Sequence, residues 1–179
     1  MIIIENNFNL LDINEELILK NLCDNFIVSS SPGGGSIDGK NYYNRFHIHK
    51  DTENLKSILN KITSVTKENL KKNDVDIFSF SIADYIWINK VDTNSNKNDE
   101  FHHDSSDITS ILYLNDDFGE GEFEYKDDTG NSIKIKPKKN LMIISNNKLI
   151  HRVLPVSNGV RYSLVCFFSL DQKNKKTLI

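Results

Sequence analysis

The second half of the chain most narrows what it can fold into. From Asp76 onward, runs rich in Ile, Val, Phe and Tyr alternate with Asn, Asp and Gly. They read DIFSFSIADYIWINKV, DITSILYLN, GEFEYKD, NSIKIKP, NLMIISNN and VRYSLVCFFSL. Short β-rich segments at this spacing are antiparallel strands, and a succession of them builds a sandwich or barrel. The first part has another texture. Asp12 followed by Glu15 is a capping box opening a short helix, with Ile13, Leu17 and Leu22 expected to face inward. From Asp51, the residues Leu55, Ile58, Leu59, Ile62 and Val65 recur at helical spacing and predict a second helix. Between the helices, NFIVSSSPGGGSIDGKNYYNRFHIHK reads as strand, Gly-rich loop from Pro32 to Gly39, and strand. The expected fold class is α+β: helices first, then a β-sandwich of the jelly-roll type, with no internal repeat.

At 179 residues this is expected to be one domain, with a helical and β support over about 1–75 and a jelly-roll core over about 76–170. A net charge of −3 offers no basic footprint, so nucleic acid and anionic membranes are poor partners. The apolar run in MIIIENN is too short for a signal peptide, and no stretch approaches a membrane span, so a cytoplasmic location is expected. Cys23 and Cys166 each sit in apolar surroundings and are expected to be buried free thiols. The sequence carries no signal for oligomeric state.

The chemistry concentrates in EFHHDSSD, residues 100–107. On a strand, His102 and Asp104 share a face while His103 turns away, so the H-x-D pair can reach one metal. Asp107 is a weaker candidate, expected in the turn before the next strand. A third ligand is needed, and His151, 47 residues after Asp104, is the natural choice. Two imidazoles and one carboxylate form a facial triad with three open positions, which suits non-haem Fe(II), whereas structural zinc sites are closed and usually thiolate-rich. A rival grouping is HIHKDTE, with His47 and His49 on one strand face and Glu53 four residues on. It resembles the first half of a cupin motif, but the Gly- and Pro-containing second half does not follow. His47 and His49 are therefore read as structural or substrate-side residues.

Four segments in order, HHD at 102–104, ILYLNDDFGEGEFEY at 111–125, IKPKKNLMIISNNKLIHRVLPV at 135–156 and GVRYSLVCFF at 159–168, resemble the Fe(II)- and 2-oxoglutarate-dependent dioxygenases, in their prolyl 4-hydroxylase-like branch. The resemblance implies a double-stranded β-helix, a jelly-roll with the helices packed on one sheet. It assigns His102, Asp104 and His151 to Fe(II), and Arg161, ten residues beyond His151, to the far carboxylate of 2-oxoglutarate. A guanidinium suits that task because its planar fork matches a carboxylate. Ser163, on the face of Arg161, and Tyr113 would add hydroxyl donors. O2 is the second co-substrate, and ascorbate a candidate accessory reductant. The implied reaction hydroxylates an unactivated C–H, first a prolyl residue of a peptide or protein, alternatively a free amino acid or other small metabolite. A non-catalytic jelly-roll binding module is the rival from another class.

The pattern also departs from the family. Relatives carry an aromatic residue and a glycine shortly before H-x-D, where this chain has VDTNSNKNDEF, and Trp where Phe167 stands. Nucleic-acid-repair members typically carry a second Arg shortly after the first, which is missing here. Substrate contacts are expected from Phe167 and, if the Gly-rich loop is a lid, from Tyr43 and Arg45.

Overall fold

The computed structural model describes residues 1–6, 10–24, 36–37, 40–41, 44–75, 77, 79–94 and 100–170. The chain opens with strand β1 (Ile2–Asn6) and helix α1 (Ile13–Asp24). The capping box forms as expected. Asp12 Oδ1 accepts from the amides of Asn14 at 2.9 Å and Glu15 at 3.0 Å, while Glu15 Oε2 accepts from the Asp12 amide at 2.9 Å. A small hairpin, β2 (Ser36–Ile37) with β3 (Lys40–Asn41), precedes β4 (Asn44–His49). A single 3-10 turn over Glu53–Leu55 leads into helix α2 (Lys56–Lys72). Glu15 locks the two helices together, accepting from Ser57 Oγ at 2.7 Å and Lys61 Nζ at 2.5 Å.

The remaining strands are β5 (Phe80–Ile82), β6 (Tyr85–Asp92), β7 (Ile108–Tyr113), β8 (Gly119–Glu120), β9 (Phe123–Lys126), β10 (Ser132–Ile135), β11 (Leu141–Asn146), β12 (His151–Val153), β13 (Val156–Asn158) and β14 (Val160–Leu170). All six β-rich runs contain strands. One large antiparallel sheet has the order β1-β11-β7-β14-β6-β4, with β5 also pairing β14. A smaller sheet has the order β10-β9-β12, and β8 pairs with β13. MIIIENN, read only as an apolar N-terminus, supplies β1, whose Ile3 stands opposite Ile144 across the chain's whole length.

Period-two alternation divides the large sheet between two cores. Ile86, Ile88, Leu112, Ile144, Leu164, Cys166 and Phe168 face one way and pack with Leu19, Leu55, Ile58 and Ile62 of the helices. Their neighbours Ile111, Tyr113, Ile143 and Val165 face the other way and pack with Phe123 of the small sheet. The helices therefore cover one face of the large sheet and the small sheet the other. Strand β7, buried at all six positions, shows the consequence: apolar residues on both faces, not an alternation.

The inward face of α1 differs from the expectation. Ile13 and Leu17 are exposed, at 81% and 55%, and only Leu22 of the expected trio packs partly on the core. The buried row is Glu15, Leu19 and Cys23, spaced i, i+4, i+8. A charged residue opens that row because Lys61 and Ser57 satisfy its carboxylate, a pairing that spacing within α1 alone does not reveal. Helix α2 agrees, with Leu55, Ile58, Leu59 and Ile62 buried and Val65 partly buried against them. Cys23 and Cys166 are free and buried, as expected. The strand expected at NFIV, most of the Gly-rich loop and Tyr43 lie outside the described residues. The backbone of Arg45 is in β4, but its side chain lies outside them too.

Candidate metal centre and its cavity

The two halves of the proposed triad meet through main chain. His102 and His151 exchange a pair of backbone hydrogen bonds, 2.9 Å in one direction and 3.0 Å in the other, as an isolated antiparallel bridge. The segment after His102 is irregular and not the strand that was expected. The bridge places His102 beside His151, and Asp104, two residues on, joins them before the bend at residues 105–107. Ligand atoms of His102, Asp104 and His151 all lie within 4.8 Å of one another, and His151 Nε2 stands 3.8 Å from Asp104 Oδ2. His151 is buried and stacks on Phe123, with ring centroids 5.1 Å apart.

Hydrogen bonding distinguishes the two nitrogens of each ring. His102 Nδ1 lies 2.9 Å from the Glu100 carbonyl, and His151 Nδ1 lies 3.1 Å from the Leu149 carbonyl. A carbonyl only accepts, so each Nδ1 carries the proton and each Nε2 presents its lone pair to the centre. Two imidazoles and one carboxyl group are the donor set of an open first-row site. Bonds of about 2.1 Å set cis donors about 3 Å apart, so a small rotation of Asp104 closes the shell on an ion. The residues fit the metal that the sequence implied. His103 is exposed and outside the group, and Asp107 is engaged elsewhere, its Oδ2 accepting from the Leu170 amide at 2.9 Å.

The triad opens on a cavity lined by β6, β7, β12 and β14. Arg161, Ser163, Val165 and Phe167 all line it, as strand alternation predicts. Arg161 is only 3% exposed, and its Nη1 donates to the Gly121 carbonyl at 2.8 Å. Two features fix its place. Asn115 bridges the residues on either side, with Nδ2 donating to Val160 O at 2.7 Å and Oδ1 accepting from the Tyr162 amide at 2.8 Å. Gly121, at φ +75°, passes so close that a Cβ there would lie 3.1 Å from Arg161 Nη1. Tyr113 stands opposite Ser163 in the β7–β14 register, and both are buried. Burial pushes the Tyr113 phenol up to about 12, with Arg161 pulling slightly the other way, so it is a hydrogen-bond donor across any working pH.

A buried ion pair supports the outer side of the triad. Glu124 Oε2 accepts from Arg152 Nε at 2.7 Å, and the Arg152 guanidinium lies over Phe101, 4.4 Å from its centroid. Burial raises the Glu124 pKa, but the hydrogen bonds from Arg152 and Ser132 outweigh it and hold it below the usual range.

The cavity also contains residues the sequence reading missed: Trp87, Asn89, Thr109 and Ile111. Trp87 and Asn89 alternate with the core residues Ile86 and Ile88, and this tryptophan-amide face on an otherwise apolar strand was the available signal. His47 and His49 are exposed and join no metal group among the described residues, and Glu53 opens the 3-10 turn. His49 Nδ1 accepts from the Asp51 amide at 3.2 Å, whereas His47 stacks on Trp87.

Residues 86–169 match the family model described as the 2OG-Fe(II) oxygenase superfamily. Comparison with curated protein sequences finds no match. Among solved structures, the fold is similar to an oxidoreductase of the 2OG-Fe(II) oxygenase family from Burkholderia pseudomallei, with TM-score 0.69 and 17% identity over 94% of this chain and 84% of that one. It is similar to a prolyl-4-hydroxylase from Pseudomonas putida, with TM-score 0.68 and 13% identity over 94% and 92%. A Trichoplax adhaerens prolyl hydroxylase, in complex with a hypoxia inducible factor peptide fragment, gives 0.69 and 15% over 96% and 84%. At these identities the likeness is one of fold.

Proposed function

We propose that this chain, a member of the 2OG-Fe(II) oxygenase superfamily through residues 86–169, hydroxylates an unactivated C–H bond of a prolyl residue in a peptide or protein. Enzymes of this superfamily use Fe(II), 2-oxoglutarate and O2. The bound metal couples decarboxylation of 2-oxoglutarate to succinate and CO2 with insertion of one oxygen atom of O2 into the substrate C–H, the other oxygen ending in succinate.

One observation carries the reading: His102, Asp104 and His151 converge within 4.8 Å at a cavity that also holds a buried Arg161. The three side chains would hold the ion on one side and leave the other for co-substrate and O2. Arg161 would take the far carboxylate of 2-oxoglutarate, with Ser163 and the Tyr113 phenol as further donors. A guanidinium held in a buried cavity offers a planar fork to the carboxylate of a dianionic co-substrate. The surrounding apolar wall of Ile111, Val153 and Val165 keeps bulk water from the reacting centre. The layering of the large and small sheets fits a double-stranded β-helix, with residues 1–75 as its support in the same domain. A reducing cytoplasm suits the two buried free thiols. No described helix is long and apolar enough to cross a membrane.

The test incubates the protein with Fe(II), 2-oxoglutarate, O2 and proline-containing peptides. Succinate release matched by a peptide mass gain of one oxygen atom is the expected result. Failure of the protein to bind either Fe(II) or 2-oxoglutarate would make it a binding module and end the proposal.

A further inference from the structure

We propose that Phe101 is the positioning residue for His102: two anchored cations grip its ring on the side of the small sheet away from the cavity, and this grip fixes how the neighbouring imidazole meets a metal ion. The inference rests on the proposed function only in taking His102, Asp104 and His151 as a metal site.

The two histidines are carried differently. His151 begins β12, which pairs with β9 as a ladder: His151 with Tyr125, Arg152 with Glu124 and Val153 with Phe123. His102 meets β12 as an isolated bridge outside the strands. In an antiparallel bridge the flanking residues also stand opposite each other, which sets Phe101 against Arg152. His151 and Val153 line the cavity, so Arg152 between them projects from the other side of β12, and Phe101 meets it there. The Arg152 guanidinium carbon lies 4.4 Å from the Phe101 ring centroid, and Lys126 Nζ lies 4.8 Å from it. Both are close enough for the negative face of the ring to attract a cation.

Each cation is anchored independently of the ring. The buried Glu124 carboxylate accepts from Arg152 Nε at 2.7 Å, and Arg152 Nη2 lies 2.7 Å from the same oxygen. Lys126 Nζ donates to Ser132 Oγ of β10 at 2.7 Å, while the Lys126 amide donates to the Ile150 carbonyl at 2.9 Å. Support therefore runs from the sheet β10-β9-β12, through two fixed cations, to a ring one residue before a metal ligand. The Glu100 carbonyl orients the His102 ring, but it belongs to the same short segment and moves with it. Phe101 instead ties that segment to a separate part of the chain. A ligand held in place beforehand loses little freedom when the ion binds, and outer partners of this kind strengthen metal binding.

The test reads metal binding without turnover. The full chain and its variants, without O2 or 2-oxoglutarate, are titrated with Fe(II) by calorimetry and with Co(II), whose visible absorption reports ligand geometry. Phe101 is partly exposed, so Phe101→Leu leaves the core intact; it keeps apolar bulk but removes the π-face. It should weaken both metals by about tenfold and alter the Co(II) bands. Phe101→Tyr keeps the face and should restore wild-type affinity and bands. Lys126→Met should weaken binding by about threefold on its own, and not at all when Phe101→Leu has already removed its target. Wild-type affinity and bands in Phe101→Leu, or Phe101→Tyr as weak as Phe101→Leu, overturns the grip and leaves the proposed function standing. Additive losses from Lys126→Met and Phe101→Leu do the same. Binding of neither metal by the wild type overturns the metal site, and the proposed function with it.

Discussion

Replacing Gly121 by alanine tests how the fold holds Arg161, because two separable penalties meet there. The first is backbone strain. Gly121 sits at φ +75°, where an L side chain costs about 1–2 kcal/mol. The second is contact. The new Cβ would lie 3.1 Å from Arg161 Nη1, 3.1 Å from Val156 Cγ2 and 3.3 Å from the Phe118 ring. Arg161 Nη1 is the far end of a flexible side chain, so the guanidinium gives by a few tenths of an ångström, disturbing its bond to the Gly121 carbonyl. Gly130 separates the two effects. Its φ is +84°, yet nothing lies within 4 Å of a Cβ there, so Gly130→Ala carries the strain without the contact. Both variants should lower Tm by about 2–8 °C in thermal unfolding, since 1 kcal/mol shifts a chain of this length by about 2–4 °C. Only Gly121→Ala should raise the 2-oxoglutarate requirement, by about tenfold, the worth of one misaligned charge-assisted hydrogen bond. That requirement is read from succinate formation at varied 2-oxoglutarate. Equal requirements in the two variants, with both folded, would mean that Gly121 does not position the anion anchor and that its close approach to Arg161 serves packing alone.

The other predictions follow from the same contacts. His102→Ala and His151→Ala should abolish tight Fe(II) binding with the circular dichroism spectrum retained, whereas His103→Ala should keep most of it. Arg161→Ala should raise the 2-oxoglutarate requirement far more than it weakens Fe(II) binding; equal loss of both would make Arg161 a structural residue. For Glu15, burial acts to raise the pKa, but hydrogen bonds from Lys61, the Asp12 amide and Ser57 hold it below the ordinary value. A depressed acid stabilises the folded state above its unfolded pKa, about 4.3, and that contribution disappears as pH falls through the folded value. Glu15→Ala should therefore cost about 2 kcal/mol near neutrality, with the difference in Tm between variant and wild type shrinking below about pH 4.

The strand content was legible because the turn residues between strands are local signals. Every β-rich run after Asp76 contains a strand at its centre. What escaped was pairing at a distance. MIIIENN has no turn partner nearby, and its role as β1 comes from antiparallel contact with β11, some 140 residues on. Similarly, Ile13 and Leu17 fit a helical stripe as well as Leu19 and Cys23 do. Only the position of Lys61 on α2 shows why the buried row contains Glu15.

The His-Asp-His group and the aromatic cluster of His47, Trp87 and Phe167 differ in the same way. In the proposed reaction His102, Asp104, His151 and Arg161 would meet small, fixed species, an ion and a dicarboxylate, and that requirement is legible as residue type and short spacing. The alternation of His102, His103 and Asp104 holds although only His102 is paired, in the His102–His151 bridge: His102 and Asp104 reach the centre and His103 is exposed. The aromatic cluster combines His47 of β4, Trp87 of β6 and Phe167 of β14, which adjoin only through the sheet order β14-β6-β4. Nothing in the spacing of 47, 87 and 167 encodes that adjacency. Relatives often have Trp where this chain has Phe167, and here the indole of Trp87, from the neighbouring strand, meets Phe167 edge-on. For that reason, the shape of this cavity's entrance follows from sheet order and register, while its chemistry follows from sequence.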